Sequence, residues 1–239
     1  MDFARYPLRF VGEDPRAPMP RDHWPATLAP VRQLLTDGLD LGPATVFVGE
    51  NGAGKSTVVE GIALAYGLSA EGGSTGARHS TRASESPLGD HLQLQRNIGS
   101  VKGGFFLRAE TAHGLFSYLE QNQGSRPEPV FHELSHGESF LELVADRAKY
   151  PGLWVLDEPE SALSFSGCLS LLVLLKEILS SGKSQVILST HSPILATLPG
   201  AIIYETGEWG LRPRDWNELA LVDSWRRFLD SPEGYLRHL

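Results

Sequence analysis

The stretch ATVFV-GENGAGKST-VVEGIALAYGL, residues 44–68, limits the chain more than any other. A short, β-branched apolar run reads as a buried strand, and the apolar residues after Thr57 recur as in a helix. Between them, Gly49, Gly54, Lys55 and Ser56 complete the pattern G-x-x-x-x-G-K-S/T. That pattern has a physical meaning in a strand–loop–helix unit. Glycines let the backbone N–H groups of Gly52, Ala53, Gly54 and Lys55 turn inward around an anion, and the helix adds its positive N-terminal end. Glu50 and Asn51 fill the rest of the loop. Lys55 is then placed to bridge the β- and γ-phosphates of a nucleotide, Ser56 to hold Mg²⁺, and Thr57 to bind the α-phosphate. A glycine turn with an exposed lysine would explain the letters alone, but not the strand and helix that flank them.

The rest of the chain fits such a unit. Residues 3–11 suggest a first strand and 12–25 a proline-rich loop. Leu28, Val31, Leu34 and Leu35 recur at helical spacing. Strands are expected at 102–110, 153–160, 184–193 and 201–205, with a hairpin at 207–213. Helices are expected at 112–121, from 135 through FLELVADRA, at 167–180 and near 217–230. Strands alternating with helices imply an α/β fold with a mainly parallel central sheet flanked by helices, in one domain spanning residues 1–239. Residues 69–90 are small, polar and poor in apolar side chains, which predicts an exposed, mobile insertion. They contain GGSTG, a literal nucleophile elbow, but Ser74 lacks the buried strand before it and the helix after it that an elbow needs.

A triphosphate site requires a second metal-binding carboxylate on a neighbouring strand. LWVLDEPE, 153–160, supplies Asp157 for Mg²⁺ and, one residue on, Glu158 to polarise an attacking water as general base. An apolar strand ending in Asp-Glu is a weak signal by itself; its pairing with the loop at 49–57 makes it strong. His191 ends the next apolar strand, SQVILSTHSP, where it could hold the γ-phosphate and the water. A merely structural role is the bland alternative for a strand-end histidine.

Residues 132–139, HELSHGES, carry two incompatible chemistries. His132, Glu133 and His136 fit H-E-x-x-H, which on a helix would bind Zn²⁺ as in a metalloprotease. Pro127 and Pro129 stand just upstream, however, and Ser135 with Glu138 forms an S-x-x-E capping box. That predicts a helix starting at Ser135, which leaves His132 outside it and removes the zinc geometry. A third zinc ligand sought in Glu158 or Glu160 would also strip the phosphate site of its acids.

GENGAGKST, LSHGE, LDEPESAL and STHSP stand in the order of the phosphate loop, signature, Walker B and switch-histidine motifs of the ATP-binding-cassette superfamily. The chain most resembles small bacterial ATPases related to SMC and RecF-like proteins, in which SHGES, GGFFLRAE, THSPIL and a terminal PEGYLRHL recur. This resemblance implies an ABC-type P-loop ATPase with a small antiparallel subregion, using ATP and Mg²⁺. It also implies that Ser135, Gly137 and Glu138 face the nucleotide of a second subunit, in an ATP-dependent head-to-tail homodimer. Two positions depart from the pattern: His136 replaces a glycine, and Ser164 stands where an aspartate is usual. The glutamine loop has three candidate places, Gln93, Gln95 and the strand end Arg108–Glu110. Trp24 could stack on adenine, or pack in the core or in a loop.

Net charge is −8, from 29 acidic and 21 basic residues, which argues against broad nucleic-acid contact. Arg78, Arg82, Arg96, Lys102 and Arg108 could still form a local basic patch, although a solvated face explains them as simply. A single cysteine, Cys168, excludes an internal disulfide and suits the cytoplasm. No stretch approaches a membrane span. Two expectations stand level: an SMC- or RecF-like conformational switch acting on DNA or on a protein partner, and a nucleotide-gated regulatory or defence module with slow hydrolysis. Behind them stands the energising subunit of a membrane transporter, which needs a membrane partner.

Overall fold

A computed structural model describes residues 5–69, 72–74, 86–121 and 134–237. Its core is a sheet in the order β10-β9-β3-β8-β7-β6-β4. These strands are β3 (Ala44–Val48), β4 (Gly73–Ser74), β6 (Gly104–Arg108), β7 (Leu153–Asp157), β8 (Gln185–Thr190), β9 (Ile202–Gly207) and β10 (Gly210–Pro213). From β9 to β6 all neighbours are parallel, while β10 and β4 close the two edges antiparallel. Every residue of β3, β7 and β8 is buried, which is what a parallel strand covered on both faces requires.

Strand periodicity sends alternate side chains to two cores. Val46, Val48, Trp154, Leu156, Val186 and Leu188 face one side. There they meet α3 (Ala112–Gln121), α4 (His136–Arg147) and α5 (Phe165–Ser180) through residues such as Phe116, Phe140, Leu143 and Leu171. Phe47, Val155 and Ile187 point the other way, against α1 (Ala29–Asp37) and α2 (Lys55–Tyr66). This second core also receives Leu8 and Val11 from a separate antiparallel sheet, β2-β1-β5, built from β1 (Leu8–Glu13), β2 (Leu39–Asp40) and β5 (Leu92–Arg96). Helices α6 (Ala220–Asp230) and α7 (Pro232–Leu236) complete the described chain.

Three expectations are corrected. The first strand runs from Leu8 to Glu13, because Pro7 has no N–H to offer a ladder and Gly12 and Glu13 pair with Gln93 and Leu92. The stretch 69–90 is not wholly an exposed insertion. Gly73 and Ser74 form β4, and Pro87–His91 make a short 3-10 turn whose Leu88 is fully buried against α2. Residues 75–85 of that stretch lie outside the described residues, as do Arg78 and Arg82 of the basic patch. Of the remaining patch residues, Arg96 and Lys102 are exposed, while Arg108 is half-buried against Asp157 and Glu60 and so does not join a surface patch.

Candidate functional site

Parallel pairing brings several strand ends to one edge of the sheet. Val48 lies beside Thr190, Asp157 beside Ser189, and Arg108 beside Asp157. In open α/β sheets ligands bind at this carboxyl edge. The loop after β3 is held close to the sheet: a Cβ on Gly49 would stand 2.2 Å from the Thr206 carbonyl oxygen, so only glycine fits. Gly52 and Gly54 adopt φ of 77° and 93°, conformations open to glycine, and Gly54 caps α2 directly before Lys55. Glu50, Asn51 and Ala53 form the turn, in which Ala53 N–H donates to the Glu50 carbonyl. Ser56 and Thr57 open the first turn of the helix, where its N–H groups are free of intrahelical partners.

Lys55 folds back over this loop. Its side chain is 2% exposed, with Nζ donating to the Glu50 carbonyl at 3.0 Å, 2.9 Å from His191 Nε2 and 3.6 Å from Glu158 Oε1. Burial pulls its ammonium below the usual lysine range, an effect only partly offset by Glu158, Asp157 and Glu160. His191 Nε2 stands 2.9 Å from Glu158 Oε1 as well. One ring nitrogen cannot donate to the glutamate and accept from the lysine at the same time, so which of the two it bonds depends on the tautomer.

Glu158 follows β7 with φ 48°, a left-handed conformation that a non-glycine residue adopts at a cost on the order of 1–3 kcal/mol. Its N–H donates to the Ser189 carbonyl and hydroxyl, which hold that turn. The result separates two neighbouring acids. Asp157 stays 4% exposed, while the Glu158 side chain reaches solvent with 34% exposure. Asp157 accepts from the Ser189 hydroxyl on Oδ1 and from Arg108 Nε at 2.9 Å on Oδ2. A third acid, Glu160, accepts the His191 backbone N–H on Oε1; its buried Oε2 has no hydrogen-bond partner among the described residues. Burial raises its carboxyl pKa, against the pull of that N–H.

The donors fit Mg²⁺. Among the described residues no cluster of three His, Cys, Asp or Glu side chains could cage a metal. A hard oxygen pair, the Ser56 hydroxyl and the Asp157 carboxylate, suits an ion that takes one or two protein oxygens and completes its shell with phosphate and water. Asp157, Glu158, Glu160 and Glu60 outnumber Lys55 and Arg108, an excess of negative charge that a divalent cation would offset.

The HELSHGES segment takes the start its capping box implies. Ser135 is an extended N-cap (ψ 158°) whose hydroxyl accepts from Glu138 N–H, while the Glu138 carboxylate accepts from Ser135 N–H at 2.9 Å. Extended backbone at Ser135 interrupts the helical turn that H-E-x-x-H needs; His132 itself lies outside the described residues. Gly137 packs close under the turn after β7, where a Cβ would meet the Ala162 carbonyl at 3.1 Å. No hydrogen bond or ion pair among the described residues joins Ser135, Gly137 or Glu138 to the Lys55–Glu158–His191 cluster. Ser164, in the place of the usual aspartate, caps α5 by accepting from Gly167 N–H, a role either residue can fill.

Of the glutamine-loop candidates, Gln93 and Gln95 are exposed on β5, away from the cluster, and only the strand end at Arg108 reaches it. Trp24 is 53% exposed, so a core role does not hold. Sequence reasoning missed Glu60 altogether and misread Arg108. Their signals were a lone carboxylate inside the apolar helix VVEGIALAY and a charge closing the apolar run FFLR.

No protein-family model and no curated protein sequence matches this chain. Among solved structures, it is similar to an inward-facing ABC transporter of the metal-chelate type at 16% identity and a TM-score of 0.50, covering 89% of this chain and 84% of that one. It is also similar to the SMC head domain from Thermotoga maritima, at 15% identity, a TM-score of 0.45, and 74% and 93% coverage. A third is cbiO1 from Clostridium perfringens, part of the ABC transporter complex cbiONQ, at 18% identity, 0.46, and 84% and 91% coverage. At such identities the likeness is one of fold, and with the transporter it extends over most of both chains.

Proposed function

We propose that this chain, whose fold is that of an ATP-binding-cassette ATPase, binds ATP with Mg²⁺ and hydrolyses it to ADP and phosphate. The observation that carries the reading is the convergence of Lys55, Glu158 and His191 on one point beside a glycine loop. With nucleotide bound, Lys55 exchanges the Glu50 carbonyl and Glu158 for phosphate oxygens. A buried cation acts there in a low dielectric, where each charge contact counts for more than in water. Ser56 and Asp157 would hold Mg²⁺, which would supply further charge neutralisation. Losing Lys55 to phosphate frees Glu158 Oε1 on the solvent side, where it can accept a proton from the attacking water. His191 keeps its contact with Glu158 and is placed to orient that water or the γ-phosphate.

Ser135, Gly137 and Glu138, at a helix N-terminus suited to an anion, share no hydrogen bond or ion pair with the cluster of their own chain among the described residues. Their use in catalysis therefore requires a phosphate held by another subunit, which supports an ATP-sandwiched head-to-tail homodimer. The switch so driven acts on an effector. A net charge of −8 and the engagement of Arg108 by carboxylates favour a protein effector over broad DNA contact. Transport is the weaker reading: among the described residues no helix is long and apolar enough to cross a membrane, so a separate membrane partner would be needed.

The test is ATP turnover and oligomeric state of the full chain, with and without DNA, for the parent and Glu158→Gln. Turnover should fall on the order of 10²–10⁴-fold in the variant, as for loss of a general base, while ATP-induced dimer persists. Equal turnover by the two proteins would remove Glu158 from the chemistry.

A further inference from the structure

Arg108 is the unexpected member of the site. It closes β6 in register with Asp157, and its side chain is 18% exposed. Nε donates to Asp157 Oδ2 at 2.9 Å, and Nη2 donates to Glu60 Oε2 at 2.6 Å. Glu60 is 11% exposed and sits on α2 one turn beyond Ser56, with its Oε1 accepting the Ser86 N–H. The guanidinium thus ties the strand that carries the metal-facing acid to the helix that carries the metal-facing hydroxyl. Since Ser189 holds Oδ1, both oxygens of Asp157 are engaged. Burial works against the charge on Arg108, but Asp157 and Glu60 outweigh it and hold the side chain as a cation.

A divalent cation drawn to Asp157 therefore meets a positive charge already bonded to that carboxylate. Attraction to the acid is opposed by repulsion from the guanidinium, and in a poorly solvated pocket neither is well screened. We propose that Arg108 is a resident counter-cation of Asp157 that divalent metal must outcompete, so that Arg108 sets the metal concentration at which the site loads. Glu60 is the other anchor onto which Arg108 can shift when metal arrives. The fork geometry of the guanidinium suits this exchange, because one N–H can be released while the other keeps its carboxylate. The inference rests on the reading that Asp157 faces Mg²⁺. Arg108 and Glu60 act as positioning residues, through Asp157.

The test is Mn²⁺ binding followed by electron paramagnetic resonance, on the full chain with a non-hydrolysable ATP analogue. Arg108→Met keeps the aliphatic stem and removes the charge; its half-saturating Mn²⁺ should fall at least about tenfold below the parent's. Glu60→Gln keeps an acceptor for Ser86 N–H but weakens the alternative anchor, and should need a few-fold more Mn²⁺ (roughly threefold). Opposite signs in the two variants are the signature, since a purely structural strut would weaken binding in both. Unchanged or weaker Mn²⁺ binding in Arg108→Met, with analogue binding intact, overturns the proposal alone. If Arg108→Met does not fold, Arg108→Gln, which keeps N–H donors for the two carboxylates without the charge, decides: equal or weaker binding there overturns it. A parent that binds neither analogue nor Mn²⁺ overturns the reading of the site itself.

Discussion

At the scale of single residues, the site sets three neighbouring acids to different tasks by their surroundings alone. Asp157 is buried between a hydroxyl and a guanidinium, Glu158 is turned to solvent by a left-handed backbone, and Glu160 is buried with one oxygen unpartnered. The last has a measurable consequence. Because burial raises its folded pKa above the ordinary value of 4.5, Glu160 favours the fold while protonated. That contribution is fully present below the unfolded pKa and is lost as pH rises through the folded one. Glu160→Gln keeps the acceptor for His191 N–H and cannot ionise. Thermal unfolding across pH should show the variant gaining on the parent as pH rises from about 4.5, and parallel profiles would exclude the effect. Residue identities at the loop and the acids were legible because their chemistry demands particular side chains at fixed spacing. Arg108 and Glu60 were not, because each shows only as a lone charge in an apolar run and nothing in the letters joins residues 48 apart.

At the scale of elements, short-range grammar carried the most information. Ser135 through Glu138 specified where α4 begins, against a competing zinc pattern in the same letters, and the structure has that reciprocal cap. Ser135→Ala should lower stability by about 1 kcal/mol, the usual worth of a serine cap, and should fray the first turn of α4. Chemical denaturation and amide exchange at 136–139 would measure both. Unchanged exchange there would mean that packing under Ala162, not the cap, fixes the helix start. The buried strands β3, β7 and β8 were legible as apolar runs of strand length. β5 was missed although LQLQR alternates with period two, because it follows directly on the polar stretch 69–90 and carries only two apolar residues. β2 and β4, two residues each, exist only through their partners and have no pattern of their own.

At the scale of the molecule, alternating strands and helices implied a mainly parallel sheet, but not its order. Which strands become neighbours depends on contacts far apart in sequence, and that order is what places Val48, Asp157 and Thr190 side by side. Residues on three strand ends converge around Lys55, the arrangement we propose to cradle a triphosphate. Equilibrium binding of ATP to the full chain, compared between the parent and Lys55→Ala at fixed Mg²⁺, tests it most directly. The parent should bind, and the variant should weaken by about 100-fold or more, since a charge-assisted contact to phosphate in a desolvated site is lost. Equal affinity in the two proteins, or no binding by the parent, would contradict the account.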